Sequence, residues 1–154
     1  MSGSLLVVHE RIGVWSRQLK ARLGDRPVRL VESRSGADLE AALAGAAVPV
    51  VLIDLGRRVR SGLDDLQRGL AVSPDALALV LDPLAHEGVA WLAREAGATH
   101  VITGPVTPPA VATLLARWLI LAARRAGSCG WTGPALAEPE PWNWLNPILD
   151  PRPT

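Results

Sequence analysis

The sequence predicts a single α/β domain, a doubly wound five-stranded parallel sheet, followed by an extended C-terminal tail. Three observations lead there. Short runs rich in Val, Leu and Ile recur five times between residues 5 and 102. Between and after them, apolar residues fall three and four apart, the spacing of one helix face. Beyond residue 127 both patterns stop and prolines become frequent. Short all-apolar runs suit strands buried on both faces of a parallel sheet. Strict alternation of strand and helix then puts helices on both faces, because each crossover returns right-handed over the sheet.

Leu5–Val8 reads as the first strand. Ile12, Trp15, Leu19 and Leu23 form the apolar stripe of the first helix, and Gly24 is placed to end it. Val28–Val31 is a second, weaker strand. Leu39 and Leu43, among alanines, mark the second helix, with Ser35 or Asp38 available near its start. Val48–Ile53 is the third strand, and Leu63, Leu66 and Leu70 mark the third helix. Ala76–Leu81 is the fourth strand; Val89, Leu92 and Ala96 mark the fourth helix, closing at Gly97. His100–Ile102 is the fifth strand. Val111, Leu114, Leu115, Trp118 and Leu121 mark the last helix, opened by Pro108-Pro109 and closed by Gly127. A sheet of five such units in about 120 residues takes the flavodoxin-like order, with any site at the carboxyl ends of the strands. A dinucleotide fold is disfavoured, because His9-Glu10-Arg11-Ile12-Gly13 follows the first strand in place of a Gly-rich phosphate turn.

The 154 residues leave room for one domain, divided here into an α/β domain at 1–127 and a Pro- and Trp-rich tail at 128–154. Hydrophobic residues make up 49% and charged ones 20%, a balance that suits a packed core. Sixteen basic against fifteen acidic residues leave a formal charge of +1. That supplies no clustered excess to draw nucleic acid or an anionic membrane. Nearly all the basic residues are Arg; Lys20 is the only Lys. The single cysteine, Cys129, excludes an intrachain disulfide and a multi-cysteine metal site. The N-terminus lacks a basic leader, and no run approaches the roughly 18 apolar residues of a membrane span. The expectation is a cytoplasmic protein with no cofactor.

Four segments carry a resemblance. Leu5-Leu6-Val7-Val8-His9-Glu10 resembles the opening of bacterial response-regulator receiver domains, where two acidic residues end the first strand. Val50-Val51-Leu52-Ile53-Asp54-Leu55 is similar to the family's phosphoacceptor strand, which puts Asp54 at the phosphorylated position. Ala78-Leu79-Val80-Leu81-Asp82 looks like the strand that ends in the family's switch Thr or Ser. Ala96-Gly97-Ala98-Thr99, with Thr103-Gly104-Pro105-Val106 after it, resembles the Gly-Ala and Lys-Pro-Phe segment. The resemblance covers about four-fifths of the chain in the order and spacing that the doubly wound fold requires.

It also implies a dismantled pocket made of His9, Glu10, Asp54, Asp82 and Gly104. One of the two Mg²⁺-binding carboxylates has become His9, and Mg²⁺ demands oxygen ligands in tight octahedral geometry. Asp82 puts a negative charge where a hydroxyl would meet a phosphoryl oxygen. Gly104 stands where the family has its phosphate-pairing Lys, and the chain has no Phe or Tyr to serve as the switch aromatic. Phosphotransfer needs preorganised positive charge, which this pocket lacks.

The leading expectation is therefore a non-catalytic pseudo-receiver that acts as a protein interaction or assembly module in regulation. One alternative is a phospho-accepting receiver of a two-component system, using Asp54. Another is a small metal-dependent enzyme, in which His9, Glu10, Asp54 and Asp82 gather at the sheet edge around Zn²⁺ or Mn²⁺. Hydrolase chemistry has no support, since no Gly-x-Ser-x-Gly elbow is present. His86 and His100 read as loop or surface residues, and Trp15 and Trp91 as core. The expected partner is a protein, or a second copy, met through the last helix at Trp118 and Leu121 and through Trp142, Trp144, Leu145, Ile148 and Leu149 of the tail. Prolines beside bulky apolar anchors are a composition suited to docking.

Overall fold

The computed structural model describes residues 3–128; the tail expectations at Trp142, Trp144, Leu145, Ile148 and Leu149 lie outside the described residues. Five strands alternate with five helices: β1 Ser4–His9, α1 Val14–Leu23, β2 Val28–Ser33, α2 Gly36–Leu43, β3 Val50–Asp54, α3 Val59–Val72, β4 Leu77–Asp82, α4 Val89–Glu95, β5 His100–Thr103 and α5 Pro108–Ser128. All strand pairs are parallel, in the order β2-β1-β3-β4-β5. That is the flavodoxin-like order expected from the sequence.

The period of two along each strand divides the core into two layers. Leu6, Val8, Leu52, Leu79 and Leu81 face α1 and α5, meeting Leu19, Leu115 and Leu119. Leu5, Val7, Ile53 and Val80 face the other way, meeting Leu39 of α2, Leu66 of α3 and Val89 of α4. This parity decides where the residues at the strand ends point.

Two local expectations fail. Ile12 was expected on the first helical stripe but precedes α1 and is 79% exposed. The Glu10 carboxylate accepts from the N–H groups of Trp15 and Ser16, so the helix starts after Gly13 and residues 11–13 loop outward. Trp91, expected in the core, is 64% exposed, and Leu92 is exposed beside it. α4 has only seven residues, and it buries Val89 and Ala93, one turn apart. A helix that short presents one narrow stripe to the sheet, and Trp91 lies off it. Among the described residues, no helix is long and apolar enough to cross a membrane.

Candidate functional site

The carboxyl ends of β1, β3, β4 and β5 deliver His9, Glu10, Asp54, Asp82 and Gly104 to one edge of the sheet. Strand parity then splits them. Asp54 follows Ile53 and shares the face of Leu52, toward α1 and α5. Asp82 shares the opposite face with Val80, toward α4. His9 shares the face of Val7, toward α2 and α3.

Glu10 is buried and works as the cap of α1. Its Oε2 accepts from the Trp15 backbone N–H at 2.9 Å and its Oε1 from that of Ser16 at 2.7 Å. A carboxylate at a helix N-terminus satisfies donors that the helix itself cannot. Trp15 continues from that cap to the pocket: its indole Nε1–H donates to Asp54 Oδ2 at 3.1 Å. The other oxygen of Asp54 accepts from the Gly56 N–H at 3.0 Å. Trp15 was expected as a plain core residue; its half-buried ring does pack on the α1/α5 layer, but its polar edge belongs to the site. Burial pushes the Asp54 carboxyl above its ordinary pKa, the two hydrogen bonds pull it back, and the Glu10 charge adds to the rise. Among the described residues Asp54 has no ion pair.

His9 bridges three elements. Its Nε2 lies 3.0 Å from Asp65 Oδ2 on α3, and its Nδ1 lies 2.7 Å from Ser33 Oγ at the end of β2. The carboxylate can only accept, so Nε2–H donates to it, while the Ser33 hydroxyl lies between Nδ1 and the Ser35 carbonyl, 3.3 Å away. Serine, histidine and aspartate in line suggest a nucleophilic triad, yet Ser33 is 1% exposed, so no substrate reaches its oxygen. The row is a buried strut between strand ends and helix.

Asp82 is fully buried. Its Oδ1 accepts from His86 Nδ1 at 2.7 Å and its Oδ2 from the His86 backbone N–H, also at 2.7 Å. His86, expected as a loop residue, is on the β4–α4 loop and holds it shut against the strand end. Ala85, next to it, adopts a left-handed φ of 50°, a conformation that L residues resist. Gly104 has φ 83°, where any side chain would be strained, and its N–H donates to the Asp82 carbonyl at 2.8 Å. His100 is exposed on the edge strand.

The five expected pocket residues thus do not converge. His9, Glu10 and Asp54 line one cleft of about 40 Å³ at the ends of β1 and β3, together with Arg11, Arg34 and Arg58, while Asp82 and Gly104 do not line it. Among the described residues, no three His, Cys, Asp or Glu side chains come together in a way that could hold a metal ion. The metal-site expectation built on His9, Glu10, Asp54 and Asp82 fails for that reason: Asp82 is turned to His86 on the other face, and the His9 ring, although it lines the cleft, has both nitrogens on Ser33 and Asp65. The donor set suits a Mg²⁺ ion poorly, because it offers an imidazole and two carboxylates that already accept N–H hydrogen bonds. Glu10 has both oxygens on backbone N–H groups, and Asp54 has both on Trp15 and Gly56.

Trp15, Ser33, Asp65 and His86 were missed as site residues. Only the His86 contact, four residues along the chain from Asp82, left a local trace in the sequence.

No protein-family model matches the chain, and no curated protein matches it. Solved structures do. A signal receiver domain of a putative Luxo repressor protein from Vibrio parahaemolyticus aligns with a TM-score of 0.68 at 16% identity, covering 84% of this chain and all of that one. A response regulator from Burkholderia pseudomallei with a phosphorylated aspartic acid and a calcium ion aligns with a TM-score of 0.62 at 20% identity, covering 95% of this chain and 84% of that one. The receiver domain of a sensor histidine kinase from Pseudomonas aeruginosa, with a magnesium ion in its active-site cleft, gives 0.55 at 17% identity, over 77% of this chain and 98% of that one. The fold is the receiver fold. At these identities the likeness speaks for the receiver architecture alone.

Proposed function

We propose that this receiver-fold chain is a regulatory interaction module that takes no part in phosphotransfer. The observation that carries the reading is the state of Asp54: Trp15 Nε1–H and Gly56 N–H occupy its two oxygens, and no cation pairs with it among the described residues. Attack on a phosphoryl donor needs a carboxylate lone pair aimed at phosphorus and positive charge around the transferred group. Here each oxygen already gives one lone pair to a fixed N–H, which weakens it as a nucleophile, and no cation pairs with it among the described residues. The switch movement has no element to act through either. In place of a hydroxyl that could swing, Asp82 is clamped to His86 by two 2.7 Å hydrogen bonds.

With the strand-end pocket closed, contacts pass to the outer surface. The α5 helix exposes Ile120 and Leu121, while Trp118 is half-buried against the core. Together with residues 138–149 this supplies the apolar anchors from which protein interfaces draw most of their energy.

The phospho-accepting alternative keeps one observation in its favour. Asp54 ends β3 beside a cleft that Arg11 and Arg58 line. Incubating the full-length protein with acetyl phosphate and Mg²⁺, then measuring its intact mass, separates the two. The expected result is unmodified protein. A phosphoryl adduct that disappears in Asp54→Asn would overturn the proposal.

A further inference from the structure

A groove runs along α5 where that helix meets the end of α1 and the start of β2. Two adjoining hollows of about 440 and 410 Å³ form it, sharing Arg26, Ala116 and Ile120. Its floor is apolar, with Ala116 and Leu119 buried beneath and Ile120 47% exposed above. Its rim is basic. Arg26 stands on one side and Arg117 on the other, and neither meets a carboxylate among the described residues. An apolar floor inside a basic rim suits a segment that is both apolar and acidic.

The chain's own C-terminus has that composition. Beyond Ser128 it carries Glu138, Glu140 and Asp150 against a single basic residue, Arg152, around the apolar anchors Trp142, Trp144 and Leu145. Its reach is sufficient. Helix α5 ends at Ser128, beside the hollow lined by Ala123 and Arg124. From Ala123 back to Pro109 the groove follows the helix for about 21 Å at the helical rise. The 13 residues between Ser128 and Trp142 span up to about 43 Å when extended. The segment can turn back and lay Trp142 over Ile120 with chain to spare. Pro139 and Pro141 stiffen it, which lowers the entropy cost of ordering it there.

We propose that residues 138–149 dock in cis in the α1–α5 groove, with the two Trp rings over Ile120 and the Glu138 and Glu140 carboxylates toward Arg26 and Arg117. This rests on reading the tail as a docking segment and adds the surface that receives it.

Hydrogen–deuterium exchange on the full-length chain tests the assignment. Wild type is compared with the double variant Trp142→Ala, Trp144→Ala and with Ile120→Glu. Amides of residues 112–124 are expected to exchange at least about tenfold faster in either variant. Neither Trp belongs to the 3–128 domain, so the double variant keeps the test valid if Ile120→Glu misfolds. A charge swap adds a readout that simple destabilisation does not produce. Arg26→Glu with Arg117→Glu should lose the protection, and adding Glu138→Arg with Glu140→Arg should restore it. Equal exchange in wild type and the double Trp variant overturns the proposal. Protection that rises with protein concentration also overturns it, placing the tail on a second copy. Neither result touches Asp54, whose chemistry the acetyl phosphate experiment reads separately.

Discussion

At the scale of residues, the site turns on how a few buried polar groups satisfy one another. Glu10 and Asp54 keep their carboxylates, but each has become an acceptor for fixed donors, the first as a helix cap and the second under an indole N–H. Burial raises the Asp54 pKa, so the folded protein holds that proton more tightly than the unfolded chain does. The sign follows from linkage: stability at this residue is greatest below the ordinary carboxylate pKa and declines as pH rises through the raised, folded value. Asp54→Asn removes the titration, although its amide cannot accept from Trp15 in the same way. The stability difference between variant and wild type should therefore move in the variant's favour with rising pH and level off near neutrality. Urea midpoints measured from about pH 3 to pH 7 check this, since a midpoint shift at constant slope is a change in stability. A difference that stays flat across that range would contradict the burial of Asp54. In the sequence, Glu10, Asp54 and Asp82 stood out through the receiver resemblance of the segments that carry them. It could not supply Trp15, Ser33 or Asp65, which reach the site across 39, 24 and 56 positions of chain.

At the scale of elements, caps and chain reversals decided the boundaries. α4 ends in a full Schellman arrangement, with the Gly97 N–H on the Arg94 carbonyl and the Ala98 N–H on that of Ala93, both at 2.9 Å. Gly97 takes φ 104°, and a Cβ there would stand 2.7 Å from Leu70 Cδ1. Gly97→Ala combines left-handed strain with that clash and should cost about 1–2 kcal/mol. Thermal unfolding would register the loss as a fall in Tm of several degrees, roughly 4 °C or more per kcal/mol for a domain of this size. Gly97 was readable as a helix terminator from composition alone. The stripe of α4 was not, because Leu92 and Trp91 satisfy a helical period without facing the sheet. Helical spacing identifies one apolar side of a helix; it does not say how much of that side a neighbouring sheet can cover.

At the scale of the whole molecule, two cores share one sheet. Leu66 of α3 is 1% exposed in one layer, and Leu115 of α5 is fully buried in the other. Truncating either to Ala should cost about 2–5 kcal/mol by lost burial and the cavity left behind. The sheet stands between them and they have no packing partner in common. Their penalties in the double variant should add to within about 0.5 kcal/mol. Chemical denaturation of the two single variants and the double one is the measurement. A shortfall well beyond that margin would mean the two layers relax together. The same architecture bears on function. The strand ends, where open α/β sheets normally place ligands, are filled by hydrogen-bonded side chains, and the hollows of about 440 and 410 Å³ flank α5.

By itself the sequence determined the fold class and the order of ten elements, while each strand runs one or two residues past the apolar run that marks it. Class and order follow from periods of 2 and 3.6 residues, which are local properties of the chain. Only the tertiary structure decided what the strand-end residues do. Strand parity and crossover geometry gave His9 and Asp82 each a partner of its own and brought Trp15 onto the Asp54 carboxylate. Such contacts join residues distant in the chain, and no local pattern encodes which of them will meet.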